Sequence, residues 1–288
     1  MALVGESGCG KSTLGQSILR LIRPPGRIVG GEILFRGKDL LKLTDGEMRK
    51  IRGAKISMVF QDPTSCLNPV FTVGHQIEEV VNLHQQIKGK GAMAKAIEAL
   101  RKVGISSPKE RSKDYPHQFS GGMRQRAMLA IALSCNPELL IADEPTTNLD
   151  VTIQAQVLSL LRELQREFNS TVLLITHNMG VIARLSDRVA VMYAGKIVEV
   201  ADTVSLFDDP RYPYTEALLK SVPRIEREVQ RLESIPGMVP SLANPPPGCR
   251  FHPRCEYAES ICRDEEPPLV EVYSGHLVAC HRAQRLET

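Results

Sequence analysis

The sequence predicts an α/β fold in which a mostly parallel sheet is interrupted by a helical insertion and followed by a short appended tail. Three observations predict it. Short apolar runs suited to buried strands alternate with amphipathic helical segments. A glycine-rich octapeptide, Gly5-Glu6-Ser7-Gly8-Cys9-Gly10-Lys11-Ser12, fits G-x-x-x-x-G-K-[ST] and stands between an apolar run and a helix. Residues 73–135 read as mostly helix, with breaks at Gly104 and Pro108.

In chain order, residues 1–4 supply the strand that a phosphate loop normally follows, and Thr13 continues as a helix to Ile22 with Leu14, Ile18, Leu21 and Ile22 apolar. With so little chain ahead of the loop, the sheet neighbours of this strand are expected upstream of Met1. Residues 32–35 read as a strand ending at Arg36-Gly37-Lys38, and Thr44 with Glu47 forms a capping box that opens a helix to about Arg52. Residues 56–60 read as a buried strand, and 139–142 return to strand after the helical stretch. A long amphipathic helix over 151–168 is capped by Asp150. It is followed by a strand at 172–175, a helix at 179–185 and a hairpin around Ala194-Gly195-Lys196. Beyond Asp202 come short helices at 203–208 and 214–222, a charged stretch at 224–231, and a stiff linker at 240–248 holding four prolines. No internal repeat is visible.

Composition narrows the function. The chain has 288 residues, 42% hydrophobic and 24% charged, which suits two folded domains and excludes a disordered chain or a small disulfide scaffold. The net charge is +3, too small for the dense basic footprint of nucleic-acid binding, so no nucleic-acid partner is expected. No apolar run approaches the ~20 residues of a membrane helix, and the N-terminus does not read as a signal peptide, so the chain is expected to stay in the cytoplasm. The seven cysteines then suggest thiols or metal ligands before disulfides.

The octapeptide carries a specific chemistry. Its glycines let backbone N–H groups converge on the α and β phosphates of a nucleotide, Lys11 reaches the β and γ phosphates, and the Ser12 hydroxyl ligates Mg²⁺. Leu139-Leu140-Ile141-Ala142-Asp143-Glu144 is an apolar strand ending in two carboxylates. Asp143 suits the Mg²⁺ shell and Glu144 an attacking water, although carboxylates in that position are often mere helix caps. Ser120-Gly121-Gly122-Met123-Arg124-Gln125 opens a helix whose free N–H groups face an anion, or is an ordinary N-cap. Gln61 and His177 each follow a strand, where open α/β sheets bind ligands, or are loop residues.

Taken in order, the set resembles the ATP-binding cassette superfamily: Walker A at Gly5, Glu6, Ser7, Gly8, Cys9, Gly10, Lys11, Ser12 and Thr13; the Q-loop at Gln61; the signature at Ser120, Gly121, Gly122, Met123 and Gln125; Walker B through Asp143 and Glu144; the D-loop at Asn148-Leu149-Asp150; and the switch histidine His177. The resemblance implies a P-loop NTPase with a RecA-like core, an inserted helical subdomain at about 73–135, a cassette over 1–202 and an extension over 203–288. It implies ATP and Mg²⁺ at a composite site, with Ser12, Gln61 and Asp143 around the metal, Glu144 as catalytic carboxylate, Gln61 sensing the site and coupling it to a membrane partner, and His177 contacting the γ-phosphate. The signature residues would act on the nucleotide of a second, homologous cassette. Met123 stands where the superfamily usually has glutamine, which leaves the backbone donors in place. Cys9 occupies a variable position and reads as filler ahead of a redox switch. In the family an adenine-stacking aromatic precedes Walker A, so the chain reads as a cassette lacking its front edge.

Phe60-Gln61-Asp62-Pro63, Leu67-Asn68-Pro69, Tyr115-Pro116-His117-Gln118-Phe119 and Pro210-Arg211-Tyr212-Pro213-Tyr214-Thr215 resemble the dipeptide and oligopeptide importers in particular. Nickel and other small-solute importers share this branch. Four of the seven cysteines, Cys249, Cys255, Cys262 and Cys280, fall within 32 residues, where even scatter would place about one. Their C-x₅-C-x₆-C-x₁₇-C spacing suggests a four-cysteine metal site in a tail with little apolar content. The tail GCRFHPRC resembles the importers' cysteine-bearing extension, which implies a 4Fe-4S cluster. Zn²⁺ is the alternative, with His252, His276 and His281 as spare ligands. The importer reading implies a paired cassette, two membrane permeases and an extracytoplasmic binding protein, with this subunit peripheral on the cytoplasmic face of the inner membrane. A soluble non-transport cassette protein and an inactive truncated fragment are the competing readings.

Overall fold

The computed structural model describes residues 1–62, 66–147, 149–221 and 235–285, which gather into two compact units, Met1–Lys11 with Leu174–Thr288, and Ser12–Leu173. The charged stretch at 224–231 lies outside the described residues. Among the described residues no helix is long and apolar enough to cross a membrane.

The first unit is built on strands. Strand β1 (Ala2–Val4) is fully buried. It runs parallel to the end of β6 (Thr171–Ile175), with Leu3 against Ile175, and parallel to β7 (Arg188–Tyr193), with Leu3 against Ala190. The expectation that the neighbours of β1 lie upstream is therefore corrected: both lie more than 160 residues downstream, because a parallel sheet pairs strands across helical crossovers and not along the chain. β7 turns through Ala194-Gly195 into antiparallel β8 (Lys196–Asp202), as the hairpin signal predicts.

The tail adds two strands that the sequence reading lacked, β9 (Val270–Tyr273) and β10 (His276–Val278), with β10 antiparallel to β8. They are four and three residues long, too short for a period to register. They are fixed by a buried acid: Glu199 on β8, 0% exposed, accepts hydrogen bonds from the backbone N–H groups of Arg211 (2.7 Å) and Tyr212 (3.2 Å) and stands 2.8 Å from Nε2 of His276 on β10. With three partners, the burial of this carboxylate is compensated. Tyr193, Tyr212, Tyr214 and Phe251 share one apolar core with Leu206 and Val278.

The second unit contains the helical stretch. β4 (Ile56–Val59) and β5 (Leu139–Asp143) pair in parallel, Ile56 against Leu139 and Val59 against Ala142. Helices Val73–Gln85, Lys90–Lys102 and Gly121–Leu133 share one core with helix Val151–Phe168, through Ile77, Val81, Leu100, Leu129 and Leu161. The ends follow local chemistry. Thr72 and Asp150 cap the N-termini by accepting from the backbone N–H groups of His75 (3.3 Å) and Ile153 (2.9 Å), and Asn169 closes the long helix at φ 50°. The Thr44–Glu47 capping box forms as expected. The first helix is shorter than predicted, Lys11–Ile18 and not 13–22, because Arg20 adopts φ 52° and the Leu21 N–H turns back to the Gln16 carbonyl at 2.8 Å. The 32–35 strand is in fact a tight hairpin, β2 (Leu34–Phe35) with β3 (Lys38–Asp39), turned at Arg36 (φ 50°) and Gly37 (φ 74°).

Candidate nucleotide-binding site

The loop between β1 and helix Lys11–Ile18 owes its shape to two glycines. A Cβ at Gly5 would stand 2.1 Å from the Met192 carbonyl oxygen, so no larger residue fits there. Gly10 sits at φ 106°, a conformation other residues rarely adopt. Between them Ser7 and Gly8 are exposed and Cys9 is buried. Burial pushes the Cys9 thiol above its ordinary range, which favours the filler reading over a redox switch. The buried Lys11 ammonium donates to the carbonyls of Gly5 (2.8 Å) and Glu6 (3.0 Å), so the loop's own oxygens satisfy the cation. That geometry is an open coil of backbone around a single positive charge, the form an anion-binding loop takes.

Ser12, the second residue of the same helix, donates from Oγ to Oδ1 of Asp143 at 3.0 Å. Asp143 is 3% exposed at the end of β5. A hydroxyl and one carboxylate meeting at the head of a phosphate loop fit Mg²⁺, which is ordinarily held by one or two carboxylates with phosphates and water and not by an all-protein cage.

The next residue faces a different set of groups. Glu144 Oε2 accepts from Gln61 Nε2 at 2.9 Å and from Thr147 Oγ1 at 2.9 Å, and its backbone is left-handed at φ 45°. A non-glycine residue in that region is strained, and such strain persists where the surroundings over-determine it. Sequence reasoning missed Thr147. The signal available was its spacing, three residues after a carboxylate, which is the reach of a side chain folding back over a turn.

The signature residues open helix Gly121–Leu133. Ser120 Oγ accepts from the Met123 N–H at 3.3 Å, Gly121 is exposed, and a Cβ at Gly122 would stand 2.9 Å from Ile153. Met123 packs against the apolar core, while Gln125 is 2% exposed and its Nε2 has no hydrogen-bond partner among the described residues. Asp150 is exposed and caps the following helix; Asn148 lies outside the described residues. His177 is exposed two residues beyond β6, followed by Asn178, which caps the next helix. In the tail, Cys249, Cys255, Cys262 and Cys280 line one cavity with Tyr212, whose hydroxyl lies 3.3 Å from the Cys249 sulfur. Among the described residues no three His, Cys, Asp or Glu side chains stand close enough together to hold a metal ion.

Comparison with known proteins decides the family. Residues 1–147 match the family described as ABC transporter. The chain belongs to the ABC transporter family. As a cassette of that family it is an ATP-hydrolysing enzyme with a mixed α/β P-loop fold, which the sequence predicted. Residues 198–262 match the family described as oligopeptide/dipeptide transporter, C-terminal region. The oligopeptide transport ATP-binding protein AppD of Bacillus subtilis is 52% identical over 281 residues, covering 97% of this chain and 86% of AppD. The dipeptide transport ATP-binding protein DppD of the same organism is 51% identical over 280 residues, covering 97% of this chain and 84% of DppD. Among solved structures, the dimeric post-hydrolysis state of the ATP-binding cassette MJ0796 bound to ADP and Pi superposes with a TM-score of 0.62 at 29% identity, over 70% of this chain and 84% of that one.

Proposed function

We propose that this cassette binds MgATP and hydrolyses it to drive import of di- and oligopeptides through a membrane ABC transporter. The observation that carries the chemistry is the division of labour at the end of β5: Asp143 faces the Ser12 hydroxyl and Glu144 faces Gln61 and Thr147. One residue serves a metal and the next a water. Peptide as cargo is supported by the match of 198–262 and by relatives named for oligopeptide and dipeptide transport.

In this reading 1–202 is the cassette and 203–288 the extension. Lys11 exchanges the Gly5 and Glu6 carbonyls for phosphate oxygens, while the N–H groups of 6–13 surround the phosphates. Ser12 and Asp143, with Gln61 nearby, would hold Mg²⁺, which would supply charge neutralisation at the phosphoryl oxygens. Glu144, oriented by Gln61 and Thr147, positions the attacking water and takes its proton. His177 contacts the γ-phosphate. Ser120, Gly121, Gly122, Met123 and Gln125 close over the nucleotide of a second, homologous subunit, with Asp150 at the same junction. ATP binding thereby drives closure and hydrolysis releases it. Two permeases and an extracytoplasmic binding protein complete the assembly, with this subunit on the cytoplasmic face of the membrane.

The test is reconstitution of the chain with its paired cassette and permeases in vesicles. Peptide-loaded binding protein stimulates ATP hydrolysis in this reading. Stimulation by nickel or another small solute, with none by peptides, reassigns the cargo.

For the tail, a 4Fe-4S cluster on Cys249, Cys255, Cys262 and Cys280 is proposed, with Zn²⁺ as the alternative. Its support is that all four thiols line one cavity, although among the described residues no three of them stand close enough together to hold a single ion. An absorbance shoulder near ~400 nm with stoichiometric iron and sulfide in anaerobically purified protein is the expected signature. Stoichiometric zinc without iron selects the alternative.

A further inference from the structure

The phosphate loop is gripped from the far end of the chain. Glu6, the second residue of the octapeptide, is held at three points. Its N–H donates to the Tyr214 hydroxyl at 2.8 Å, its carbonyl accepts from Lys11 Nζ at 3.0 Å, and its carboxylate receives two nitrogens of Arg254, at 2.7 and 3.1 Å. Arg254 is itself built in. Its side chain is 4% exposed, Nε donates to the Pro236 carbonyl at 2.8 Å, Nη2 to the Ile235 carbonyl at 3.3 Å, and Nη1 to the Tyr193 hydroxyl at 3.3 Å. Tyr214 is fully buried against Tyr193 and Phe251, at ring-centroid distances of 4.7 and 5.5 Å.

A carboxylate is an awkward residue in a loop that must receive a polyanion. Unopposed, Glu6 would repel the phosphates and compete for Lys11, the one cation of the octapeptide. The bidentate Arg254 pair removes both problems, because it neutralises the carboxylate and holds it in a fixed fork geometry. The Glu6 carbonyl is thereby fixed as well, and with it the resting position of the Lys11 ammonium.

We propose that Arg254 is a positioning residue for the phosphate loop, neutralising and anchoring Glu6 so that Lys11 and the loop N–H groups are presented to ATP. The proposal rests on the nucleotide reading of that loop. It gives the C-terminal extension a direct role in ATP affinity, through a contact between residues 248 positions apart.

The experiment measures equilibrium binding of a fluorescent ATP analogue by the full-length chain, alongside the thermal midpoint. Arg254→Met weakens binding about tenfold, while Arg254→Lys, which keeps the charge, stays within about threefold of wild type. Adding Glu6→Gln to Arg254→Met removes the uncompensated carboxylate and recovers affinity to within about threefold, whatever the midpoint of the double variant. In the assembled transporter Arg254→Met raises KM for ATP and leaves kcat at saturating ATP. Binding by Arg254→Met equal to wild type, or no recovery in the double variant, overturns the proposal. Failure of the wild-type chain to bind the analogue overturns the nucleotide reading itself.

Discussion

Gln61 Nε2 donates a 2.9 Å hydrogen bond to Glu144 Oε2, joining the residue two places beyond β4 to the residue immediately beyond β5. These strands are parallel neighbours, so the register that pairs Val59 with Ala142 also brings the two side chains together. Gln61→Ala removes one donor to that oxygen and leaves Thr147. Turnover at saturating ATP is expected to fall about tenfold with little change in KM, the equivalent of one positioning hydrogen bond. Steady-state kinetics of the assembled transporter check this.

Asp143 and Ser12 meet at 3.0 Å. Asp143→Asn keeps the shape and removes the charge. The Mg²⁺ concentration for half-maximal hydrolysis is expected to rise on the order of tenfold to a hundredfold, while metal-independent nucleotide binding persists. A Mg²⁺ titration of the ATPase rate reads this directly.

Burial raises the Cys9 thiol above its ordinary value of 9.0, and burial likewise raises the Tyr214 phenol above 10.0. Both groups are neutral when protonated, so the folded state holds their protons more tightly than the unfolded chain. Their contribution to stability is therefore complete below about pH 9 and is lost as pH climbs through the raised values. The thermal midpoint is expected to fall as pH rises above about 9, and Cys9→Ala is expected to lessen the fall. A thiol reagent at neutral pH should label the exposed Cys66 and spare Cys9.

The sequence carried most of the chemistry and part of the architecture. Lys11, Ser12, Asp143 and Glu144 were legible because each motif couples an unusual residue pattern to a strand end, and strand ends are marked by apolar runs. The partners of β1 were not legible, since Leu3 pairs with Ile175 and Ala190 through crossovers that leave no local trace. The β9–β10 hairpin was hidden for another reason. Its order comes from His276 and Glu199 meeting in a buried site, a tertiary fact carried by two residues 77 apart. The strained φ of Glu144 and the hold of Arg254 on Glu6 belong to the same class: both arise from packing, and neither residue type announces them.

The central claim is that Glu144 acts on the water and not on the nucleotide. The most direct test is ATP binding and hydrolysis by Glu144→Gln in the assembled transporter. The variant is expected to bind MgATP as the wild type does and to lose turnover by a factor on the order of 10² or more, since the amide keeps the geometry but takes no proton. Hydrolysis at the wild-type rate would contradict the account.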